Sequence, residues 1–244
     1  MKKLCSLVLI LSLLIALPVF SLADGSSEVT LSSSAELADH VFSASTEPLG
    51  ITRATLDTGN GPEEIYLISL LGTGYEINKA NNFVAYLLST VSIGSSYLRI
   101  VKNAAIKQIP EGSKVLLAGH SLGGTTAQLF ASDKTMRARY DILGVVAFGS
   151  PIVVTSEREG FLHRLADRSD LIPLGSLAGP LNFTRDVSFE KGGFGILFIT
   201  AHTESYRRDS IWHGYDCLGV KGGHAVIRYD PADLVSYSLS LIKF

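Results

Sequence analysis

The sequence predicts an α/β fold, a mostly parallel central sheet with helices on both faces. Three observations carry that expectation. Nearly continuous aliphatic runs, "EEIYLISLLG", "SKVLLAG" and "DILGVVAFGSP", read as strands buried on both sides. Segments with helical spacing alternate with them, as a parallel sheet requires. Between the second run and the helix after it lies Gly119-His120-Ser121-Leu122-Gly123-Gly124. Three glycines in six residues mark a turn too tight for side chains, with a serine at its apex.

The chain opens with a short basic start, Met1-Lys2-Lys3, then an apolar run from Leu4 to Phe20, then Ser21-Leu22-Ala23. That layout predicts a secretory signal peptide over residues 1–23, cleaved after Ala23, and an exported mature protein. The rival is a retained anchor, but a run of about 17 apolar residues is near the lower limit for spanning a bilayer. No cysteine stands at the junction to suggest a lipoprotein. Residues 24–48 form a Ser- and Ala-rich N-terminal segment whose end, "SAELADHVFSA", fits one amphipathic helix. Residues 49–244 form the main domain, without internal repeat or dividing linker.

Within that domain "ITRATLDTG" alternates and reads as an edge strand. "EEIYLISLLG" follows as a buried strand. Asn82 to Lys107 should hold one or two helices, broken near Ser92 to Ser96. After the "SKVLLAG" strand, Ser121 to Arg139 reads as a helix, and "DILGVVAFGSP" as the next strand. "GFLHRLADRSDLIP" reads as a fourth strand and its loop, and Leu174 to Ile196 is punctuated too heavily to assign. "DPADLVSYSLSLI" has a capping Asp230 and Pro231 at the first helical position, so a terminal helix is expected.

Composition excludes several classes of function. The 244 residues are 46% hydrophobic, enough for a sizeable core without staples. The net charge of −2 becomes more negative once Lys2 and Lys3 are removed, which gives no electrostatic basis for binding nucleic acid or anionic membrane. Of the two cysteines, Cys5 lies in the signal segment, so Cys217 can form neither an internal disulfide nor a cysteine zinc site. It reads as a buried structural thiol rather than a nucleophile. No metal-ligand histidine spacing and no phosphate-cradling glycine pattern occurs, so no metal, no cofactor and no obligate protein partner is expected.

The turn at Ser121 has a chemical reading. Gly119-x-Ser121-x-Gly123 after a buried strand and before a helix lifts a hydroxyl above the sheet edge. The helix start behind it offers unbonded N–H groups, that of Leu122 first, to a negative oxygen forming beside the serine. The bland alternative is a glycine-rich turn with an idle serine. A serine hydroxyl also needs a base, and the base an orienting acid. His163, His202, His213 and His224 follow Ser121, whereas His120 should point away from it and support the turn.

"GHSLGG" resembles the serine turn of the class 3 lipases, within the α/β-hydrolase superfamily. Other segments are similar to that family in the same order. "LISLLGTG" resembles its strand ending in Gly-Thr, which implies Thr73 as the second oxyanion donor beside Leu122. "VVAFGSPIV" resembles its Phe-Gly-x-Pro strand. "LADRSDLIPL" resembles its acid segment, which implies Asp170, and "AHTESY" its His-x-x-x-Tyr ending, which implies His202 as base. Leu71 stands where the family usually has arginine. Asp167 competes with Asp170, which is preferred as lying past a strand end. His224 and then His213 compete with His202. The stretch "NNFVAYLLSTVSIGSSYL" is either a lid, which would occupy residues 74–97, or a buried helix.

The resemblance implies an α/β-hydrolase fold and a Ser121–His202–Asp170 hydrolase of carboxylic esters, lipid esters foremost, and the signal-peptide layout adds that it is secreted. The alternatives are an inactive binding or effector protein on the same fold, or an acyltransferase. N-terminal sequencing of the exported protein is expected to begin at Asp24.

Overall fold

The computed structural model describes residues 28–43, 47–72, 83–153, 157–175 and 180–237, and only the backbone of 83–95. The signal-peptide and anchor readings, Thr73, residues 74–82 of the lid stretch and residues 238–244 lie outside the described residues.

The described chain builds one nine-stranded sheet. Its strands are β1 (Val29–Leu31), β2 (Leu49–Asp57), β3 (Pro62–Leu70), β4 (Lys114–His120), β5 (Asp141–Phe148), β6 (Phe161–Asp167), β7 (Val187–Glu190), β8 (Val226–Tyr229) and β9 (Val235–Tyr237). Their spatial order is β1-β8-β2-β3-β4-β5-β6-β7, with β9 also on β2. From β3 to β7 every pairing is parallel, so β4, β5 and β6 end at one edge, where side chains of an α/β fold can converge.

The aliphatic runs are uniform because both faces are covered. On β4, Leu116 and Ala118 join one core while Val115 and Leu117 join the other. On β5, Val146 and Phe148 face the first core, Val145 and Ala147 the second. That is the two-residue period of a strand read between two helical layers. The first core is capped by α1 (Ser34–Ser43) and by Trp212 of a single helical turn, α7 (Asp209–Trp212). The second is covered by α2 (Phe83–Gln108) and α3 (Leu122–Ser132). The remaining helices are α4 (Lys134–Arg139), α5 (Leu181–Thr184) and α6 (Phe198–Glu204).

Four expectations need correction. β2 is not an edge strand: β3 lies on one side, and β8 and β9 share the other, pairing with Thr55–Asp57 and Leu49–Ile51 respectively. Both covering strands come from the far end of the sequence, where no local pattern announces them. Residues 83–108 are one helix with no break, since tertiary packing overrides the weak propensity of serine and glycine. Tyr97 and Val101 are core residues, so the later part of the stretch considered as a lid belongs to the helical layer.

The helix expected from Ser121 to Arg139 is two. Asp133 leaves the helical conformation, and its carboxylate accepts from the N–H groups of Thr135 and Met136 to start α4. Lys102 on α2 donates to the same carboxylate at 2.6 Å. At the end of the chain Asp230 does cap a turn, accepting from Ala232 N–H, but only a 3₁₀ turn over Pro231–Asp233. Val235–Tyr237 then pairs with β2 instead of continuing as helix, as a β-branched and an aromatic residue favour.

The N-terminal segment is woven into this fold. β1 pairs with β8, and Ser34 Oγ donates to Asp216 O at 2.6 Å. On the same helix, His40 is buried and shares a 2.9 Å hydrogen bond between Nδ1 and the Tyr229 hydroxyl. Burial pushes His40 down to about 4, against the weaker opposing pull of Asp39. An ordinary histidine titrates near 6.5, so between pH 6.5 and 4 the unfolded chain binds the proton better. Stability is therefore lost as pH falls through that window. Urea unfolding should show a His40→Phe variant losing less stability than the wild type from pH 6.5 to 4, by up to about 3 kcal/mol.

Candidate active site

The site begins with a crowded reversal. β4 ends at His120, and Ser121 adopts φ 55°, ψ −122°, a strained conformation for a side chain-bearing residue. Its N–H donates to Phe148 O at 2.9 Å, and its carbonyl accepts from Gly124 N–H, Thr125 N–H and Ser150 Oγ. The reversal needs glycine. A Cβ on Gly119 would lie 2.6 Å from the Gly123 carbonyl carbon, and one on Gly123 would collide with the Leu70 carbonyl oxygen. A Cβ on Gly72 would stand 2.5 Å from Ser121 Cβ and 3.2 Å from Leu122 N, so the exit of β3 passes directly beside the serine. Leu122 opens α3, placing its N–H among those a helix leaves unbonded.

The structure brings Ser121, His202 and Asp170 into one hydrogen-bonded line. His202 Nε2 is 2.9 Å from Ser121 Oγ, and His202 Nδ1 is 2.8 Å from Asp170 Oδ2. The carboxylate accepts only, so Nδ1 carries the proton and Nε2 is the lone pair facing the serine hydroxyl. All three residues are at most 1% exposed. His202 sits in the last turn of α6, and Asp170 lies in the tight turn past the end of β6.

The rivals are placed elsewhere. Asp167 ends β6, but its carboxylate accepts from Ser205 Oγ at 2.6 Å and Ser169 N–H at 2.7 Å rather than from a histidine. His224 is exposed in the loop before β8. His213 is exposed after α7, with Nδ1 on Asp209 O. His163 bonds Leu218 O at 2.6 Å. Cys217 is buried, its Sγ donates to Ala225 O, and burial pushes the thiol up to about 12, so it is no thiolate. Among the described residues no group of histidine, cysteine or carboxylate side chains could hold a metal ion.

Several supporting residues go beyond the sequence reading. Asp170 has three donors: His202 Nδ1–H, Tyr206 OH at 2.7 Å and Ile172 N–H at 2.9 Å. Tyr206 follows His202 by four residues, so both reach one carboxylate from the same side of a helical turn. The spacing inside "AHTESY" carried that signal. Burial, then the charge of Asp170, holds the Tyr206 phenol well above its ordinary range, so it stays a donor. The Tyr206 hydroxyl also accepts from Asp167 N–H at 3.2 Å.

Arg164 on β6 has no sequence signal at all. It is buried, and its guanidinium donates to the carbonyls of Ser150, Pro173, Asn182 and Arg185. Burial lowers it to about 10, which still leaves a cation at neutral pH. It ties the loop after β5 to the loop after Asp170. Where the family usually has arginine, Leu71 is held through its backbone: Tyr97 OH donates to Pro48 O at 2.6 Å and to Leu71 O at 3.1 Å.

Comparison with known families bears on this geometry. Residues 63–173 match the family described as Lipase (class 3), a span that contains Gly72, Ser121 and Asp170 but ends before His202. The fold, a mostly parallel sheet between helices with the serine at a strand-to-helix turn, is that of the α/β hydrolases. The match supports lipase-type ester hydrolysis in general terms. No curated protein and no solved structure matched the chain.

Removing the Tyr206 hydroxyl leaves a buried carboxylate one donor short. Tyr206→Phe is expected to lower the free energy of unfolding by about 1–3 kcal/mol, read by urea denaturation.

Proposed function

We propose that this chain, class 3 lipase over residues 63–173, is a secreted hydrolase of lipid carboxylic esters working through a Ser–His–Asp acyl-enzyme. The observation that carries the reading is the unbroken line Ser121 Oγ, His202 Nε2, His202 Nδ1, Asp170 Oδ2, with both hydrogen bonds under 3 Å.

Ser121 Oγ attacks the ester carbonyl carbon while His202 Nε2 takes its proton. Asp170 holds the Nδ1–H tautomer and stabilises the imidazolium that forms. The oxyanion lies against Leu122 N–H and, in our reading, Thr73 N–H; losing one such donor typically costs ~10²–10³ in turnover. His202 passes its proton to the leaving alcohol. Water, deprotonated by the same nitrogen, then attacks the acyl-serine and frees the acid.

Lipid rather than small soluble esters is favoured by exposed apolar side chains that lie close to Asp170 and His202 along the chain. Leu171 follows Asp170 directly, and Ile196 and Leu197 directly precede the helix that carries His202, and all three side chains are exposed. Phe183 is exposed on α5, whose Asn182 accepts from Ile152 N–H beyond β5. Large apolar side chains in water are tolerated where an apolar ligand meets them. Export by the predicted signal peptide would bring the enzyme to substrates outside the cytoplasm.

The test is hydrolysis of short- and long-chain p-nitrophenyl esters by residues 24–244, beside Ser121→Ala, His202→Ala and Asp170→Asn. Each variant is expected to lose ~10³-fold or more in kcat/KM. A wild type inert toward every ester and unlabelled by a fluorophosphonate would instead favour a binding protein on this fold.

A further inference from the structure

Two consecutive residues of the reversal grip His202 at different points. Ser121 Oγ meets its side chain, and His120 Nε2 meets its backbone carbonyl at 2.8 Å. The carbonyl belongs to the last turn of the seven-residue helix α6, the kind of acceptor a helix end leaves for an outside donor. A carbonyl only accepts, so His120 carries its proton on Nε2. Its Nδ1 is then a bare acceptor, buried and with no hydrogen-bond partner among the described residues.

The rings lie in a row. The Phe42 ring on α1 lies 4.4 Å from that of His120, and the His120 ring 4.5 Å from that of His202, both tilted by 40–45°. Arg207 binds the helix that carries Phe42, pairing with Asp39 at 2.6 Å and lying over the Phe42 ring. His120 itself is buried and held uncharged, its pKa pushed far down by burial and then by the neighbouring His202. A phenyl or aliphatic group would fill the same apolar space without stranding a buried nitrogen. What histidine adds there is the N–H.

We propose that His120 is a positioning residue: its Nε2–H anchors the His202 backbone so that Nε2 of His202 is held on the Ser121 hydroxyl. This rests on the Ser121–His202–Asp170 reading. Catalytic geometry is steep, and a displacement near 1 Å can cost ~10²-fold in rate. The ring of His202 is held at both nitrogens, and the segment after it through Ser205 and Tyr206. The bond from His120 adds a hold on the backbone of His202 itself, from the residue next to the nucleophile.

The test compares His120→Phe with His120→Gln in residues 24–244, beside wild type and His202→Ala. Phenylalanine keeps the ring contacts and loses the donor. Glutamine places an N–H where Nε2 stood and loses the ring. Rates are read with a fluorophosphonate probe and a p-nitrophenyl ester, and melting temperature and near-UV circular dichroism are recorded for each. We expect His120→Phe to lose ~10²-fold in both rates, falling on kcat rather than KM, and His120→Gln to recover to within ~10-fold of wild type although it melts no higher. If His120→Phe is the more active, or activity simply follows melting temperature, His120 is packing and the proposal fails. If wild type itself does not react with the probe, the triad reading and this inference fall together. Should neither variant fold, ¹⁵N NMR of wild type decides: His120 must be protonated on Nε2 and bare on Nδ1 at neutral pH, and the opposite tautomer overturns the proposal.

Discussion

The close approach of α3 to the ends of β3 and β4 is the constraint on which the rest depends. No side chain fits between Gly123 and the Leu70 carbonyl, or between Gly119 and Gly123. With backbones in contact, the chain can turn from strand to helix within one residue, and that residue is Ser121. Any larger residue at these positions would push α3 away from the sheet, carrying with it the helix start that faces the serine. The unfavourable φ of Ser121 is sustained by the same crowding and by four hydrogen bonds to its backbone groups.

Around that point the molecule is built from buried polar groups that satisfy one another. Asp170 meets three donors and Asp167 two, so neither carboxylate is left bare in a low-dielectric interior. Tyr206 stands between them, donating to one and accepting from the backbone of the other. Ser205 and Tyr206 thereby bind the segment after His202 to β6 and its turn. Arg164 performs the converse task, a buried cation shared among four carbonyls. Such networks hold geometry only when complete, since one missing partner leaves the others desolvated.

Much of this was legible in the sequence, and the limits are physical. Buried parallel strands announce themselves because both faces are apolar, and the glycine turn because nothing but glycine fits. Motif order and strand ends pointed to Ser121, Asp170 and His202, and the structure places the three within hydrogen-bonding distance in one line. What was missed depends on long-range pairing. β2 looked like an edge because its own alternation cannot reveal that β8 and β9 cover it. The terminal helix failed because Asp230 and Pro231 are good start signals for any turn, and β2 then offered Val235–Tyr237 a better partner. Arg164 left no trace, since a buried arginine bonded to carbonyls has no local pattern. His120 was assigned to the turn alone because the sequence cannot show that the His202 carbonyl lies within its reach.

The pairing of β1 with β8 joins strands from opposite ends of the described chain, Val29 opposite Tyr229. In a nascent polypeptide, β4 to β6 can associate as they emerge, but this flank of the sheet has no template until nearly everything has been synthesised. Closing so long a loop is slow. The first core, which takes residues from α1, β2 and β8 alike, therefore consolidates last. A chain released before β8 is made would have its parallel half assembled but leave β1 without the strand it pairs with, the kind of species that chaperones and proteases recognise.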